Sequence, residues 1–231
     1  MKKLGIIGGM GPKATAIFFD RIVTQTQAST DQEHIESVVL NCSTIQDRSG
    51  GMFPTLKRLK KEVEHLQMLG VKNIVMPCNT AHIHHKKMQC GTKIKIINMI
   101  DETARYIKKL AGKRNATVGI LATDTTIKTG LYSNALKLQG FNVIEPGHEL
   151  QKKTMSIIYD QIKKTGTGNF KHFMSLVKKM TESGANYIVI GCTELSYFFE
   201  NFDLPDYCID AMEVLVKMSI IKSGKIYKGN Y

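Results

Sequence analysis

Short apolar runs alternate with helical stripes from the start of the chain. Residues 4–7 form an apolar run that ends at a glycine pair, which predicts a buried strand. Pro12 then opens a helix, at a position where its missing N–H group costs nothing. Residues 38–40 predict a second strand. Alternation of this kind is typical of parallel sheets covered by helices on both faces.

The same sequence of helix, glycine and strand occurs twice. In the first half an apolar stripe at helical spacing ends at Gly70, and a strand is predicted over 71–77. In the second half a similar stripe ends at Gly184, and a strand is predicted over 185–191. The two stripes are Leu56, Leu59, Val63 and Leu66, and Phe170, Phe173, Val177 and Met180.

A cysteine follows each of these two strands, and the surrounding sequence repeats in the same register. Cys78 lies in MPCNT, and Cys192 lies 114 residues later in IGCTE. The common spacing predicts duplication of one α/β unit, because a period this long does not fit a solenoid of short repeats. The other aligned segments are 4–7 with 118–121 and, at a shorter offset of 109, 100–101 with 209–210.

The predicted fold class is α/β, with two similar, pseudo-duplicated domains that are each a mostly parallel sheet flanked by helices. We expect residues 1–98 with 208–231 to form the first domain, which holds Cys78, and residues 99–207 to form the second, which holds Cys192. A chain of 231 residues is long enough for two small cores. Reactive groups collect at the carboxyl ends of parallel strands, where both cysteines fall, and no long linker separates the halves, so we expect the two domains to pack face to face with the active site between them.

Composition and charge limit the expected class of protein, its compartment and its partners. Hydrophobic residues make up 42% of the chain and charged residues 23%, as in an ordinary soluble globular protein. The apolar run behind the first lysines is too short for a signal peptide or a membrane span, so a cytoplasmic protein without a membrane partner is expected. The net charge of +12 is spread over helical faces without a recognition motif, which favours a solvated surface over a nucleic-acid partner.

Five cysteines form an odd set without a CxxC pair, which favours reduced thiols. Cys42, Cys90 and Cys208 have no polar signature around them and are expected to be packing residues. Cys78 and Cys192 are each followed by short polar residues suited to a helix start, where backbone N–H groups favour a carboxylate. For either cysteine alone a small buried hydrophobic residue would be the favoured interpretation, but their symmetric placement favours chemistry.

Two thiols in matching settings can act as an acid and a base. A free thiol has a pKa of about 8.5, and a helix N-terminus lowers it, so one sulfur can rest as thiolate and the other as thiol. On opposite sides of a carbon acid, the thiolate removes a proton while the thiol supplies one to the other face. The expected result is inversion of a stereocentre.

Two other motifs are weighed and set aside. Cys78 with His82, His84 and His85 resembles a metal cluster, but no convincing third and fourth ligand completes it, so no metal is expected. The glycine-rich turn at 8–11 follows a strand, yet it fits neither nucleotide-binding pattern. A tight turn that lets the backbone approach a substrate is the favoured interpretation.

Six motifs together resemble the aspartate racemase branch of the cofactor-independent aspartate/glutamate racemase superfamily. The resemblance runs through nearly the whole chain and implies two α/β domains facing each other across a cleft. It also implies a homodimer, no pyridoxal phosphate or other cofactor, and Cys78 and Cys192 as the catalytic acid and base pair. The motifs are IIGGMGPKAT at 6–15, QDR at 46–48, PCNTAH at 77–82, LAT at 121–123, IIYDQIK at 157–163 and GCTEL at 191–195.

The resemblance also implies how an amino-acid substrate is held. Arg48 matches an arginine that receives the side-chain carboxylate, with Asp47 as its support, and Lys163 matches a lysine that joins it. Met10 matches a residue that lines the pocket, and Glu194 is taken as a supporting residue. The positions that match holders of the α-carboxylate and ammonium groups are Asn79, Thr80, Thr123 and Thr193.

The expected reaction is racemisation of L-aspartate to D-aspartate. Glutamate racemases resemble this chain but carry an acidic residue in the first glycine-rich turn and a His after the second cysteine, where this chain has Met10 and Glu194. Broad-specificity relatives lack the arginine or one of the thiols. A broader-specificity or glutamate racemase, a thiol-dependent diacid isomerase or decarboxylase, and a binding protein without turnover stay open as alternatives.

Overall fold

The computed structural model describes residues 2–45 and 52–229, except for the side chains of residues 52–54. The chain divides into two compact units, Met1–Met99 with Met212–Tyr231, and Ile100–Ala211. Each unit contains one parallel four-stranded sheet flanked by helices. The predicted fold class, two similar α/β domains, is therefore confirmed.

Strands and helical segments alternate in both halves, and the second half has more helices. The first half contains β1 Leu4–Gly8, α1 Pro12–Gln25, a 3₁₀ turn at Asp31–Glu33, β2 Ser37–Asn41, α2 Met52–Met68, β3 Asn73–Val75, a second 3₁₀ turn at Thr80–His84, α3 His85–Gln89 and β4 Lys95–Ile96. The second half contains α4 Met99–Ala111, β5 Thr117–Ala122, α5 Asp124–Lys128, α6 Leu131–Leu138, β6 Asn142–Ile144, α7 His148–Ser156, a π-helical segment at Ile157–Lys163, α8 Phe170–Glu182, β7 Tyr187–Gly191, α9 Tyr197–Asn201, β8 Cys208–Asp210 and α10 Ala211–Lys222.

The two sheets share one topology. The strand order is β2-β1-β3-β4 in the first and β6-β5-β7-β8 in the second, and all paired strands run parallel. Strands β1 and β5 therefore occupy equivalent places, as do β3 and β7. These are the strands that the offset of 114 aligned in the sequence, so the predicted duplication is confirmed.

The match at the offset of 109 is wrong. Ile96 of β4 pairs with Ile74, and Cys208 of β8 pairs with Ile188, which is the residue equivalent to Ile74. The last strands are therefore related by an offset of 112, and Asp210 corresponds to Asn98. The sequence match failed because β4 is only two residues long and leaves too little pattern to align.

Strand β1 pairs in parallel with β3, which is shorter than the strand predicted there. Leu4 to Ile6 pair with Asn73 to Val75, and the strand predicted over 71–77 is shortened to β3. Pro77 has no N–H group and cannot continue the ladder, which accounts for an early end. The stripe on α2 is confirmed, because Leu59, Val63 and Leu66 are buried in the core of this unit.

Matching glycine caps end the helices that precede β3 and β7. Gly70 has φ +74°, its N–H group donates to the Gln67 carbonyl, and Val71 N–H donates to the Leu66 carbonyl. Gly184 has φ +97°, its N–H group donates to the Thr181 carbonyl, and Ala185 N–H donates to the Met180 carbonyl. Both are Schellman motifs, which satisfy terminal carbonyls and turn the chain into the next strand.

The end of the chain returns to the first unit. Glu213 on α10 forms a buried ion pair with Arg21 of α1, with 3.0 Å between Oε2 and Nη1. Gln25 also donates to Oε2, and the Tyr227 hydroxyl donates to Oε1. The buried carboxylate is thus well hydrogen-bonded, as a buried charge requires.

The domain limits expected from the sequence, 1–98 with 208–231 and 99–207, stay a prediction. Strand β8, however, pairs with β7 in the second sheet, through Ile188 with Cys208 and Val189 with Ile209. The compact units accordingly change over at residues 99 and 212. Over the described ranges, no helix has both the length and the apolar composition to cross a lipid bilayer.

Candidate active site

Cys78 lies at the carboxyl end of β3, between the strand and the 3₁₀ turn at Thr80–His84. Its N–H group donates to the Met76 carbonyl at 2.8 Å, and its side chain is 9% exposed. Met10, in the glycine-rich turn after β1, packs against the same hydrophobic cluster. Asn79 and Thr80 follow Cys78 and are buried. The structure thus gathers these four predicted site residues at one end of the first sheet.

The glycine-rich turn owes its shape to contacts within the first unit. Gly9 has φ +90°, and a Cβ atom there would collide with the backbone of Cys42. Its N–H group donates to Thr15 Oγ1 at 2.9 Å, and the same hydroxyl donates to the Gly11 carbonyl at 3.0 Å. The glycine is needed for this close approach and for the left-handed conformation.

His82 supports the backbone at Cys78 and was not among the predicted site residues. Its Nε2 accepts a hydrogen bond from the Met99 N–H group at 3.1 Å, so Nδ1 carries the proton and donates to the Cys78 carbonyl at 2.9 Å. Burial lowers the pKa of His82 to about 4. The ring is therefore neutral and held in one tautomer. His82 lies in the motif PCNTAH, but only the fold reveals its supporting role.

This arrangement argues against the metal interpretation. Both ring nitrogens of His82 are engaged with protein backbone groups, so neither is available as a ligand. Within residues 2–45 and 52–229, no three His, Cys, Asp or Glu side chains gather in a way that could hold a metal ion.

Cys192 lies in the equivalent position of the second unit, directly after β7, and is buried. Ala122 of β5 pairs with Gly191 of β7, so Thr123 and Cys192 leave the same edge of the sheet side by side. Thr123 is buried and caps α5, where its Oγ1 accepts a bond from the Thr126 N–H group at 3.4 Å.

The Glu194 carboxylate contacts both the Cys192 thiol and the Lys163 ammonium group. The Cys192 thiol donates to Glu194 Oε2 at 2.9 Å, and Glu194 Oε1 lies 3.2 Å from Lys163 Nζ. Lys163 ends the π-helical segment, and its Nζ also lies 4.9 Å from the centre of the Tyr159 ring. Thr193 is buried beside them. The sequence named these residues, but not the contacts that join them.

Buried polar groups lie under Cys192. Asp210, at the end of β8, is fully buried and accepts a bond from Ser196 Oγ at 2.7 Å. The Tyr132 ring packs against Gly191, where an added Cβ would lie 2.8 Å from the ring. Burial is the main cause that raises the pKa of Tyr132, so its hydroxyl is neutral. No motif in the sequence pointed to this support.

One expectation needs correction, and two predicted site residues lie outside the described part of the chain. A helix start directly after Cys192 is wrong: residues 193–196 form a turn, in which Leu195 N–H donates to the Cys192 carbonyl, and α9 begins only at Tyr197. After Cys78, the 3₁₀ turn does follow at once. Asp47 and Arg48 lie in 46–51, outside the described residues.

The remaining cysteines divide into two kinds. Cys42 and Cys208 are buried, and burial raises the pKa of the Cys42 thiol and raises that of Cys208 to about 12. Both are packing residues, as expected. Cys90 is exposed at the end of α3, so the expectation that it packs is wrong. All five cysteines are described, and no disulfide joins any of them.

The fold and the paired cysteines define a class of protein. The chain belongs to the Asp/Glu/hydantoin racemase family, whose sequence model matches residues 7–219. Racemases are isomerases, so the protein is an enzyme of that class.

The chain is similar to racemases of three different descriptions. The chain is 27% identical over 226 residues to the broad specificity amino-acid racemase RacX of Bacillus subtilis, covering 94% of this chain and 96% of that protein. It superimposes on the structure of Picrophilus torridus aspartate racemase with a TM-score of 0.78 at 28% identity, covering 99% and 96% of the two chains. A glutamate racemase of Helicobacter pylori is 29% identical over 161 residues, which cover 64% of this chain and 60% of that protein.

Proposed function

We propose that this racemase interconverts L-aspartate and D-aspartate without a cofactor, with Cys78 and Cys192 as its acid and base. One observation carries the proposal. The two cysteines follow equivalent strands, β3 and β7, in the two halves of a duplicated fold. A fold that delivers the same nucleophilic group twice suits a reaction that needs one group on each face of a carbon.

In the proposed reaction, one thiolate removes the α-proton and the opposite thiol delivers its own proton to the other face of the α-carbon. Protons balance, because the first sulfur ends as a thiol and the second as a thiolate. The α-proton of an amino acid is weakly acidic, so the carbanion must be stabilised by the ammonium group and by hydrogen bonds to the carboxylate. Since one sulfur must be ionised and the other protonated, activity should follow a bell-shaped dependence on pH.

The substrate groups are assigned from the resemblance and from the positions of the residues. Asn79 and Thr80 beside Cys78 are proposed to hold the α-carboxylate and ammonium groups, together with Thr123 and Thr193 beside Cys192. Met10 is proposed to line the pocket. All five lie next to the carboxyl end of a strand, which supports a shared role.

The side-chain carboxylate of aspartate is assigned to Arg48, supported by Asp47, and to Lys163. A guanidinium group can hold a carboxylate with two parallel hydrogen bonds, which favours a dicarboxylic substrate. Similarity to Picrophilus torridus aspartate racemase supports aspartate over glutamate. We also propose that the protein works as a cytoplasmic homodimer, and that it has no nucleic-acid partner because its lysines are dispersed along the chain.

Broader substrate specificity is the second candidate. It is favoured by the similarity to RacX, a broad specificity amino-acid racemase that matches nearly the full length of this chain. The two candidates differ in what the enzyme rejects. An aspartate racemase should discriminate against amino acids without a side-chain carboxylate, because a charged site left unpaired is costly.

The test is a chiral assay of purified protein with L-aspartate, D-aspartate, L-glutamate and a set of neutral amino acids. We expect aspartate to racemise fastest, and Cys78→Ala and Cys192→Ala each to lower the rate by at least about 100-fold. Cys90→Ala is the matched control, since this thiol is exposed, and should keep the wild-type rate. Equal rates on neutral amino acids would support the second candidate, and full activity in either site variant would contradict the two-thiol mechanism.

A further inference from the structure

One of the two candidate thiols lies beside a charged side chain. Cys192 donates its S–H proton to Glu194 Oε2 at 2.9 Å, inside a site where the Glu194 side chain is only 11% exposed. The residues that directly follow Cys78, by contrast, are Asn79 and Thr80, whose side chains are neutral. His82, which holds the Cys78 carbonyl, is neutral as well.

A thiol can donate this hydrogen bond only while it keeps its proton. Ionising Cys192 would remove the bond and leave two negative charges side by side in a largely buried place, where water screens them weakly. Lys163 Nζ lies 3.2 Å from Oε1, the carboxylate oxygen that does not accept from the thiol, and offsets the charge of Glu194 there. The carboxylate therefore favours the thiol form of Cys192.

We propose that Glu194 holds Cys192 as a thiol in the resting enzyme, so that Cys192 starts the cycle as the acid and Cys78 as the base. The inference rests on the proposed function for its catalytic consequence. In the first turnover the α-proton moves to the Cys78 sulfur, and the Cys192 proton moves to the opposite face of the α-carbon. The enzyme then holds a thiolate beside Glu194, which is the less stable form, until solvent returns a proton to Cys192 and takes one from the Cys78 thiol.

The effect of the Glu194 charge on the Cys192 thiol is tested by alkylation, which needs no substrate. Purified protein is treated with iodoacetamide between pH 6 and 10, and the modified Cys78 and Cys192 peptides are quantified by mass spectrometry. In Glu194→Gln, which removes the charge, we expect the midpoint of Cys192 alkylation to fall by about one pH unit. The Cys78 midpoint should stay in place, as should both midpoints in Glu182→Gln, a control at an exposed carboxylate on α8.

An unchanged or higher Cys192 midpoint in Glu194→Gln overturns the proposal. Where circular dichroism shows that this variant has not folded, Glu194→Asp replaces it, because the shorter side chain withdraws the carboxylate from the sulfur. The Cys192 midpoint should then fall as well, and an unchanged midpoint there again overturns the proposal.

The role as acid is tested by the pH profile of kcat/KM for L-aspartate. Its alkaline limb should shift to lower pH in Glu194→Gln, by the same amount as the alkylation midpoint. If the Cys192 alkylation midpoint shifts but the alkaline limb of kcat/KM does not, Cys192 is not the acid. Absence of racemisation in the wild type would overturn the proposed function alone, because the alkylation comparison would still decide the state of Cys192.

Discussion

His82 holds the backbone at the candidate thiol of Cys78 through two hydrogen bonds. Its ring bridges the Cys78 carbonyl and the Met99 N–H group, which ties the backbone at the candidate thiol to the start of α4. The bridge requires a neutral ring, since a protonated Nε2 could not accept from Met99. The position of Cys78 therefore depends on keeping a proton off a buried imidazole.

Acid should destabilise the protein through this residue. The pKa of His82 is lowered to about 4 by burial, whereas in the unfolded chain it is about 6.5. Between these values only the unfolded state binds the proton, so stability is highest above pH 6.5 and is lost as the pH falls towards 4. The loss from His82 should reach about 3 kcal/mol, and burial of His84, whose pKa is also lowered, acts in the same direction.

The measurement is urea unfolding at a series of pH values from 7.5 to 4.5. His82→Gln cannot titrate, so its free energy of unfolding should fall less steeply below pH 6.5 than that of the wild type. His148→Gln changes an exposed histidine and serves as the control, with a wild-type slope. An equally steep fall in His82→Gln would show that the buried imidazole does not carry the effect.

The connections between helices and strands repeat as closely as the strands themselves. Gly70 and Gly184 stand at the same point of the two units, each in a left-handed conformation that ends a helix and begins the approach to a cysteine-bearing strand. An added Cβ would meet nothing within 4 Å at either glycine. The reason for glycine is therefore the backbone conformation alone, which is why the sequence pattern could predict both caps.

Gly70→Ala and Gly184→Ala should each lower the free energy of unfolding by about 1 to 2 kcal/mol, the cost of a left-handed conformation for a residue with a Cβ. Gly91→Ala is the matched control, because Gly91 does not have positive φ and its nearest contact would be ordinary at 3.4 Å. That variant should stay within about 0.5 kcal/mol of the wild type. Chemical unfolding followed by circular dichroism measures all three, and equal values for the three variants would contradict the conformational argument.

Other elements had no predictive signal in the sequence. The segment Ile157–Lys163 was noticed only for its family resemblance, yet it is a π-helix, a form that is often found at functional sites. Its end brings Lys163 to Glu194. Apolar spacing predicts that a helix exists, but it does not distinguish a widened turn from a regular one. The contact between Lys163 and Glu194 was therefore beyond prediction.

The architecture of both units was predictable because strands, helical stripes and glycine caps all repeat at one offset. The features that the sequence did not reveal are short or depend on partners distant in sequence. Strand β8 has three residues, and the pairing of Cys208 with Ile188 assigns it to the second sheet. Cys90 resembles the buried cysteines in its local sequence but is exposed. The hydrogen bond from Cys192 to Glu194 likewise depends on side-chain geometry.

In the proposed reaction, each face of the α-carbon is served by its own sulfur. The most direct test follows the isotope in each enantiomer while L-aspartate reacts in deuterated water. Early in the reaction the D-aspartate formed should carry deuterium, delivered by a thiol that has exchanged with solvent, while the remaining L-aspartate keeps its original hydrogen. Deuterium that enters both enantiomers equally from the first time points would contradict the account, as would the absence of any exchange.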